Sequence, residues 1–369
     1  MTDAATDRRF MALAIALGMR GLGHVWPNPA VGCVVVDGGG RILGRGWTQP
    51  GGRPHAETIA LARAGAAARG ATAYVSLEPC AHHGRTPPCA EALVAAGVAR
   101  VVTALEDPDP RVRGSGHRFL KSNGIPVTSG VLEPEARAAN AGFLSRIERA
   151  RPWLTLKLAL TLDGRIATAT GESRWISGPM ARRRVHAMRL AHDAVLVGGG
   201  TARTDDPALT VRDMGPVRQP VRLVASRRLG LPRDGTLART IADAPLWLLH
   251  DPAAARPADR AAWEAAGARL VPCASGRDGR LDPAALLAAL AETGLTRVFC
   301  EGGGSFAAAL LSAGLVDELA VFSAGLVIGA EGRPGLAALG LDRLADAERF
   351  RLVSVEAVGG DVLHRWHAA

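Results

Sequence analysis

The chain has 369 residues, of which 48% are hydrophobic and 21% charged, a composition that excludes an intrinsically disordered protein. A chain of this length is too long for one typical hydrophobic core, so we expect two domains. The formal net charge of +9 suits an anionic ligand such as a phosphate. Only 4% of the residues are aromatic, which argues against a surface that stacks the bases of single-stranded nucleic acid.

The N-terminus and the cysteines bear on the cellular compartment. Arg8 and Arg9 precede an apolar run that ends at Leu17 and imitates a signal peptide, but Asp3 and Asp7 interrupt the basic region. No stretch reaches the roughly 20 apolar residues of a membrane span. Five cysteines give no evenly paired disulfide framework, and thiolate ligands need a reducing compartment, so we expect a cytoplasmic protein.

In the first part of the chain, predicted strands and helices alternate. An N-terminal helix is followed by a hairpin at 30–46, a helix at 55–69, a strand at 73–77, a helix at 89–97, a strand at 101–105, a helix at 116–123, a strand at 125–128 and a helical segment at 132–149. This alternation predicts an α/β sandwich. Arg151 and Pro152 break the last helix, so we place the junction there, between a domain at 1–149 and a domain at 150–369.

A histidine and two cysteines of the first domain form a candidate zinc site. His55 begins a His-x-Glu pair with Glu57, and eight residues separate Cys80 from Cys89. Three protein ligands leave the fourth zinc position to water, as in catalytic sites, and Glu57 is placed to move a proton. The arrangement is typical of zinc deaminases that act on bases, although the cysteines are further apart than in the usual P-C-x-x-C.

The segment between the two cysteines, residues 81–88, is polar and contains two prolines. It is either a solvated surface loop or a loop that holds His82 and Arg85 over the metal to bind an anionic or carbonyl-bearing substrate. Candidate ligands fix both of its ends, which favours the second interpretation. A non-enzymatic alternative is a zinc-stabilised scaffold, in which His82 or His83 would close the coordination as a fourth ligand.

The second domain continues the alternation of strands and helices. Strands are predicted at 153–160, 193–198, 221–225, 246–249 and 297–301, with helices at 179–191, within 252–267 and at 306–313. Two strands run into glycines, at 198–200 and 302–304, which is how backbone N–H groups are presented to a phosphate. Two such sites indicate a dinucleotide, but neither is a G-x-G-x-x-G fingerprint, and tight turns are the other explanation. Glu301 is either a structural cap or a substrate contact.

Together these motifs give the chain a resemblance, over nearly its whole length, to the bifunctional deaminase/reductase family of riboflavin biosynthesis. The resemblance rests on Pro27-Asn28-Pro29, Pro54-His55-Ala56-Glu57, Leu77-Glu78-Pro79-Cys80, Gly84-Arg85-Thr86-Pro87-Pro88-Cys89, Leu162-Asp163-Gly164-Arg165, Gly171-Glu172-Ser173, Trp175-Ile176, Asp205-Asp206-Pro207 and Glu301-Gly302-Gly303. Ordinary cytidine deaminases lack the loop between the cysteines. The resemblance implies an N-terminal cytidine-deaminase-like three-layer α/β/α domain and a C-terminal dihydrofolate-reductase-like α/β domain, which accounts for the missing Rossmann fingerprint.

The resemblance implies two consecutive reactions with two cofactors. One Zn2+ ion per chain serves the hydrolytic deamination of 2,5-diamino-6-(5-phosphoribosylamino)pyrimidin-4-one. NADPH then reduces the ribosyl group in the second domain to give 5-amino-6-(5-phosphoribitylamino)uracil. The implied partners are a small phosphorylated pyrimidine and other copies of the chain, because family members tend to form homo-oligomers; no nucleic acid and no membrane are implied.

Matching positions assign site residues as the resemblance implies them. The zinc ligands are His55, Cys80 and Cys89, with Glu57 as the catalytic proton shuttle. The first substrate contacts Asn28, His82 and Arg85. The NADPH contacts are Ala159, Trp175, Thr201, Asp205, Ser226, Gly303, Gly304 and Ser305. The second substrate contacts Lys157, Ser173, Arg189, Leu209, Arg212 and Glu301, with Arg189 and Arg212 as the natural partners of its phosphate.

The sequence departs from the family pattern at two positions. Ala225 stands where members often carry an aspartate before the serine, which bears on the cofactor role of Ser226. Arg85 stands where some members have lysine, and both residues are cationic although their geometry differs. The alternative function is a deaminase of tRNA or DNA bases whose second domain binds nucleic acid, which the net positive charge supports and the low aromatic content opposes.

Overall fold

The computed structural model describes residues 4–82, 87–110 and 112–369. The chain divides into two compact units, Met1–Ala150 and Arg151–Ala369. Across these described ranges, no helix combines the length and the apolar content that a membrane crossing requires. Each unit has its own sheet, which for both units confirms the expected α/β class.

The first unit is built on a five-stranded sheet in the order β2-β1-β3-β4-β5. Its strands are β1 (Gly32–Val36), β2 (Ile42–Trp47), β3 (Thr72–Val75), β4 (Arg100–Thr103) and β5 (Val127–Thr128). Its helices are α1 (Ala4–Gly18), α2 (Ala56–Ala64), α3 (Cys89–Ala95), α4 (Ser115–Ser122), α5 (Glu133–Ala139) and α6 (Ala141–Arg149). Strand β1 pairs antiparallel with β2 and β3, whereas β3, β4 and β5 are parallel.

Helices cover both faces of this sheet, because successive side chains of a strand point to opposite faces. On one face, Tyr74 and Val102 belong to a core that includes Phe10 of α1. On the other face, the neighbouring Ala73 and Val101 belong to a core that includes α3 and α4. The first unit is therefore the three-layer α/β/α domain that the resemblance implies.

Two glycines let helix α2 lie unusually close to strand β2. A Cβ atom on Gly44 would be 2.0 Å from the carbonyl oxygen of Ala60, and one on Gly46 would be 2.3 Å from that of Ala56. Only glycine fits such contacts. This close packing fixes the N-terminus of α2, which carries His55 and Glu57.

The predicted helical segment at 132–149 is two helices, α5 and α6, that meet at Asn140. The Asn140 side chain is buried, and its Oδ1 accepts a hydrogen bond from the backbone nitrogen of Ala30 at 3.0 Å. The segment is therefore helical as expected, and a distant partner determines where it is interrupted.

The second unit is built on a nine-stranded sheet in the order β11-β10-β9-β8-β12-β6-β13-β16-β15. The strands of this sheet are β6 (Trp153–Thr161), β8 (Ala194–Gly198), β9 (Val221–Ala225), β10 (Leu246–His250), β11 (Arg269–Pro272), β12 (Arg297–Cys300), β13 (Glu318–Ala324), β15 (Phe350–Val358) and β16 (Asp361–Ala368). A separate two-stranded sheet pairs β7 (Arg165–Ala167) with β14 (Arg333–Pro334). The helices of the second unit are α7 (Pro179–Leu190), α8 (Gly199–Asp205), α9 (Thr236–Arg239), α10 (Pro257–Ala265), α11 (Pro283–Glu292) and α12 (Gly304–Ser312).

The strands from β11 to β13 are parallel, and β16 and β15 add an antiparallel edge. Strands β8 and β12 are neighbours, so the two glycine turns that follow them lie side by side. Sites in such sheets form where parallel strands end. The glycine turns and Glu301 lie at this edge.

Candidate functional site

The three candidate metal ligands of the first unit lie together. His55 precedes α2, Cys80 follows β3, and Cys89 begins α3. The His55 Nδ1 atom is 3.6 Å from Cys80 Sγ and 3.3 Å from Cys89 Sγ, and all three ligand atoms lie within 4.8 Å of one another. Tetrahedral zinc with ordinary Zn–N and Zn–S bonds would separate a nitrogen and a sulfur by about 3.6 Å. The cluster therefore fits one zinc ion.

The electrostatics of the cluster also suit a divalent cation. Hydrogen bonds from Cys89 and His55 lower the pKa of the Cys80 thiol to about 4. The Cys80 thiolate and burial in turn raise the pKa of Cys89, because two adjacent thiolates repel. A bound cation removes that repulsion. In residues 4–82, 87–110 and 112–369, no fourth His, Cys, Asp or Glu joins the three ligands, whereas a closed scaffold site would need a fourth; His83 lies outside these residues.

Glu57 lies in the first turn of α2 and is only 4% exposed. Its carboxyl group interacts with the thiol of Cys89 and with the charge on Cys80. Burial, followed by the charge on Cys80, raises the pKa of Glu57 to about 7. The carboxyl group therefore lies beside the cluster without belonging to it.

Glu78 anchors the loop that carries Cys80. It is buried, and its two carboxylate oxygens accept backbone hydrogen bonds from Asp107 at 3.0 Å, Gly114 at 2.9 Å and Gly116 at 2.8 Å, with a fourth from His117 at 3.2 Å. These bonds offset the cost of burying a carboxylate. They tie the cysteine loop to the start of α4.

The three predicted contacts of the first substrate have different outcomes. The Asn28 side chain packs over Gly52, where an added Cβ atom would lie 1.9 Å from its Nδ2. His82 is exposed and interacts electrostatically with Asp107. Arg85 lies outside the described residues.

In the second unit, a cleft of about 1300 Å³ brings together most of the residues predicted to bind the cofactor and the second substrate. Its lining includes Lys157, Ala159, Ser173, Trp175, Arg189, Asp205, Leu209, Arg212 and Glu301. They come from β6, α7, α8 and the loops after β7, α8 and β12. The cleft therefore contains members of both sets of predicted contacts.

Arg189 and Glu301 form a bidentate ion pair at the base of this cleft. Arg189 Nε is 2.5 Å from Glu301 Oε1, and Nη2 is 3.0 Å from Oε2, with both side chains 12% exposed. Arg189 Nη1 also donates to the carbonyl oxygen of Thr210 at 2.7 Å. Burial opposes ionisation of Glu301, but the charge and hydrogen bonds of Arg189 outweigh it and lower its pKa. Arg212, by contrast, is exposed in the cleft.

Lys157 lies beside this ion pair on β6. Burial and the charge of Arg189 lower the pKa of the Lys157 ammonium, while Glu301 opposes that shift. The ammonium is therefore held near the carboxylate of Glu301 and faces the cleft.

The remaining predicted cofactor contacts lie around the glycine turns. Ser226 and Ser305 line a second cavity, of about 800 Å³. Thr201 Oγ1 accepts a hydrogen bond from the backbone nitrogen of Gly303 at 3.1 Å, which joins the two turns. Gly304 instead lies against the backbone of Gly335.

Several lining residues of both sites were missed from the sequence. The 800 Å³ cavity also contains the backbone of 198–200 and the cations Arg203, Arg227 and Arg228, a donor set that fits a phosphorylated nucleotide. The larger cleft also contains Arg183 and His186 of α7. The basic run 182–184 was the available signal; the sequence alone does not distinguish it from a solvated helix face.

Two family models match the chain. The model for the cytidine and deoxycytidylate deaminase zinc-binding region matches residues 4–105, and the model for the RibD C-terminal domain matches residues 152–364. The second match covers more than half of the chain.

Curated proteins and solved structures match the chain over nearly its whole length. The riboflavin biosynthesis protein RibD of Escherichia coli is 42% identical over 96% of this chain and 98% of that protein, and that of Haemophilus influenzae is 39% identical over 97% and 96%. The structure of Acinetobacter baumannii RibD, form 1, is 37% identical with a TM-score of 0.89 and full coverage of both chains. A Thermotoga maritima diaminohydroxyphosphoribosylaminopyrimidine deaminase/5-amino-6-(5-phosphoribosylamino)uracil reductase is 33% identical with a TM-score of 0.86 over 99% of each chain.

Proposed function

The chain belongs to the RibD family, as a bifunctional deaminase and reductase of riboflavin biosynthesis that uses zinc and NADPH, and from this premise we propose how its two units divide the chemistry. The unit Met1–Ala150 deaminates 2,5-diamino-6-(5-phosphoribosylamino)pyrimidin-4-one. The unit Arg151–Ala369 then reduces the ribosyl group to give 5-amino-6-(5-phosphoribitylamino)uracil. The observation that carries this division is the His55–Cys80–Cys89 cluster in one unit and the basic cleft in the other.

In the deaminase unit, we assign His55, Cys80 and Cys89 as zinc ligands and Glu57 as the proton carrier. A zinc ion held there supplies an activated water as the nucleophile. Glu57 takes a proton on its carboxylate and returns it to the leaving ammonia. Glu78 keeps Cys80 in place through its four backbone hydrogen bonds. Asn28, His82 and Arg85 bind the phosphoribosyl pyrimidine.

In the reductase unit, we assign the larger cleft to the pyrimidine substrate and the nicotinamide, and the 800 Å³ cavity to the rest of NADPH. NADPH supplies the hydride. Arg212 binds the substrate phosphate, because Glu301 already neutralises the guanidinium of Arg189. Glu301 and Lys157 orient the ribosyl group, while Ala159, Ser173, Trp175, Asp205 and Leu209 line the same cleft. Thr201, Ser226, Gly303, Gly304 and Ser305 belong to the cofactor side.

The C-terminal edge strand supports self-association of the chain. Strand β15 ends the nine-stranded sheet, and seven consecutive residues, 351–357, are exposed on both of its faces. Val355 is 61% exposed and Leu352 46%. An unpaired apolar edge invites a second strand. We therefore propose a homo-oligomer that pairs through β15, which Val355→Lys would weaken in sedimentation experiments.

The cysteines support a cytoplasmic location. Cys33, Cys273 and Cys300 are buried and free, and the candidate zinc thiolates also require reducing conditions.

Incubation of the pure protein with the diaminopyrimidine substrate, with and without NADPH, tests the proposed function. We expect ammonia release without NADPH, and NADPH oxidation that follows ammonia release when both compounds are present. Oxidation of NADPH ahead of ammonia release would contradict the proposed order. Salt-dependent binding of RNA or single-stranded DNA, with deamination of their bases, would instead favour a nucleic-acid deaminase.

A further inference from the structure

A buried histidine lines the reductase cleft without a role in the assignments above. His186 lies on α7, one turn before Arg189, and is 8% exposed. It shares the cleft with Lys157, Arg212 and Glu301. A buried imidazole needs hydrogen-bond partners for its ring nitrogens.

The imidazole binds the backbone of the segment that carries two predicted substrate contacts. His186 Nδ1 lies 3.3 Å from the backbone nitrogen of Arg212, which donates the hydrogen bond, and the backbone of Thr210 is a second partner of the ring. A ring nitrogen accepts a hydrogen bond only when it carries no hydrogen, so this contact requires the neutral ring.

The side chains of Arg189, Gln219 and His186 hold the segment from Leu209 to Arg212. Leu209 has a φ of 55°, a left-handed conformation that is costly for a branched side chain, so its surroundings must maintain it. Arg189 binds the carbonyl oxygen of Thr210, and Gln219 binds Val211 through both its amide atoms, at 2.7 and 3.1 Å. Near neutral pH, Arg189 stays charged and Gln219 stays uncharged, whereas a histidine can gain or lose a proton.

Burial and two neighbouring cations favour the neutral form of His186. Arg189 acts on it from the same helix, Arg212 from the bound segment and Glu301 from the end of β12, and Lys157 of β6 lines the same cleft. Burial, followed by the charges of Arg189 and Arg212, lowers the pKa of His186 below its ordinary value of 6.5, and Glu301 and the hydrogen bond with the Thr210 backbone oppose that shift. The neutral ring therefore prevails above pH 6.5 and is lost as the pH falls through the lowered pKa.

We propose that neutral His186 is a positioning residue of the reductase site, which holds Leu209 and Arg212 in the geometry that binds the phosphorylated pyrimidine. Protonation of the ring removes the acceptor for the Arg212 N–H group and weakens substrate binding. This inference rests on the proposed reductase function and adds a residue to it.

Steady-state reduction of the deaminated pyrimidine, in the full chain and across mildly acidic to neutral pH, tests the proposal with two substitutions. His186→Leu removes the acceptor, so we expect KM for the pyrimidine to rise about tenfold over the wild-type value at neutral pH, the loss of one buried hydrogen bond, with less change in kcat. The difference from the wild type should shrink in acid, where the wild-type ring is itself protonated. His186→Gln supplies an amide oxygen that never becomes protonated. We expect its KM to equal the wild-type value at neutral pH and to rise less than the wild-type value in acid.

The substrate phosphate itself titrates near about pH 6, so the difference between the wild type and His186→Gln is the quantity to measure. His250→Gln is the matched control, because His250 is buried on β10 with a lowered pKa and is not among the lining residues of the cleft. An equal acidic rise in KM for the wild type and His186→Gln, or an unchanged KM in His186→Leu, overturns the proposal. Wild-type protein that oxidises no NADPH with the pyrimidine overturns the proposed function instead.

Discussion

The proposed metal site of the first unit is built from residues close together in the sequence, whereas the cleft of the second unit is built from residues far apart in it. The proposed ligands of the metal site lie within residues 55–89, at three element ends around one sheet edge. The cleft needs side chains from Lys157 to Glu301, and its central ion pair joins residues 112 positions apart. Zinc accepts few side-chain types at fixed distances, whereas a cleft for organic molecules accepts many. The first site is therefore compact and chemically specific, and the second depends on the whole fold.

The largest expected effect tests whether one carboxyl group carries the proton in the compact site. Glu57→Gln keeps the size of the side chain but removes the proton carrier, so we expect about a 1000-fold loss of ammonia release. NADPH-dependent reduction of the deaminated substrate should be unchanged. Glu135→Gln, at an exposed position of α5, is the control. Wild-type ammonia release by Glu57→Gln would contradict the assigned role.

Loss of one ligand tests whether the cluster holds the metal. Cys89→Ala leaves two protein ligands, and we expect the zinc affinity to fall by more than about 100-fold, since even residues behind the ligands contribute 10- to 100-fold. Metal analysis after dialysis against a chelator measures this loss. Cys273→Ala removes a buried thiol outside the cluster and should keep the zinc. Full zinc occupancy in Cys89→Ala would exclude Cys89 as a ligand.

A change in the Arg189–Glu301 ion pair of the cleft should alter both the stability of the second unit and its activity. Glu301→Gln leaves Arg189 charged and unpaired, which should lower the free energy of unfolding of the second unit by about 3 kcal/mol. The pKa of Glu301 lies below its ordinary 4.5, so the contribution of the pair is present above pH 4.5 and is lost as the pH falls through the lowered pKa.

Denaturant titration of the second unit in the full chain, with reductase rates alongside, measures both effects of Glu301→Gln. Glu292→Gln, exposed at the end of α11, is the control. A variant as stable and as active as the wild type would show that the ion pair contributes nothing to the cleft.

The smallest expected effect concerns the rim of the cleft. The Arg182 guanidinium lies 4.4 Å from the ring centroid of Trp175, which is 68% exposed. Such a cation–π contact contributes about 0.5–1 kcal/mol, so we expect Arg182→Ala to raise KM for NADPH about two- to fivefold. Arg184→Ala is the control on the same helix, because Arg184 pairs with Glu356 instead. An unchanged KM in Arg182→Ala would place the nicotinamide away from Trp175.

The sequence predicted the metal site of the first unit better than the cleft of the second unit, because the metal site depends on local order along the chain. The order of His55, Glu57, Cys80 and Cys89 already limits the chemistry, and strand and helix ends position these residues locally. In the cleft, the residue types were assigned through the resemblance, but no spacing rule brings Arg189 and Glu301 together. The role of His186 depends on a backbone N–H group of a segment 26 residues away, which no side-chain pattern reveals.

The same contrast holds for the fold. The hairpin β1–β2, helix α2 and most of the parallel strands were predicted from hydrophobic periodicity and glycine turns, within a few residues at their ends. Strands β7, β11, β13, β14, β15 and β16 were not predicted. Most of β15 is exposed on both faces, so it lacks the alternation of buried and exposed residues that marks a half-buried strand. The break at Asn140 depends on Ala30, which is 110 residues away.

The most direct test of the separation between the two sites is metal removal from the intact chain. Chelator-treated protein is given each substrate in turn, and ammonia release and NADPH oxidation are followed. We expect ammonia release to stop and to return with added Zn2+, while reduction of the deaminated pyrimidine continues at the untreated rate. Ammonia release that persists without metal, or loss of both activities with restoration of both by Zn2+, would contradict the assignment of zinc chemistry to the first unit alone.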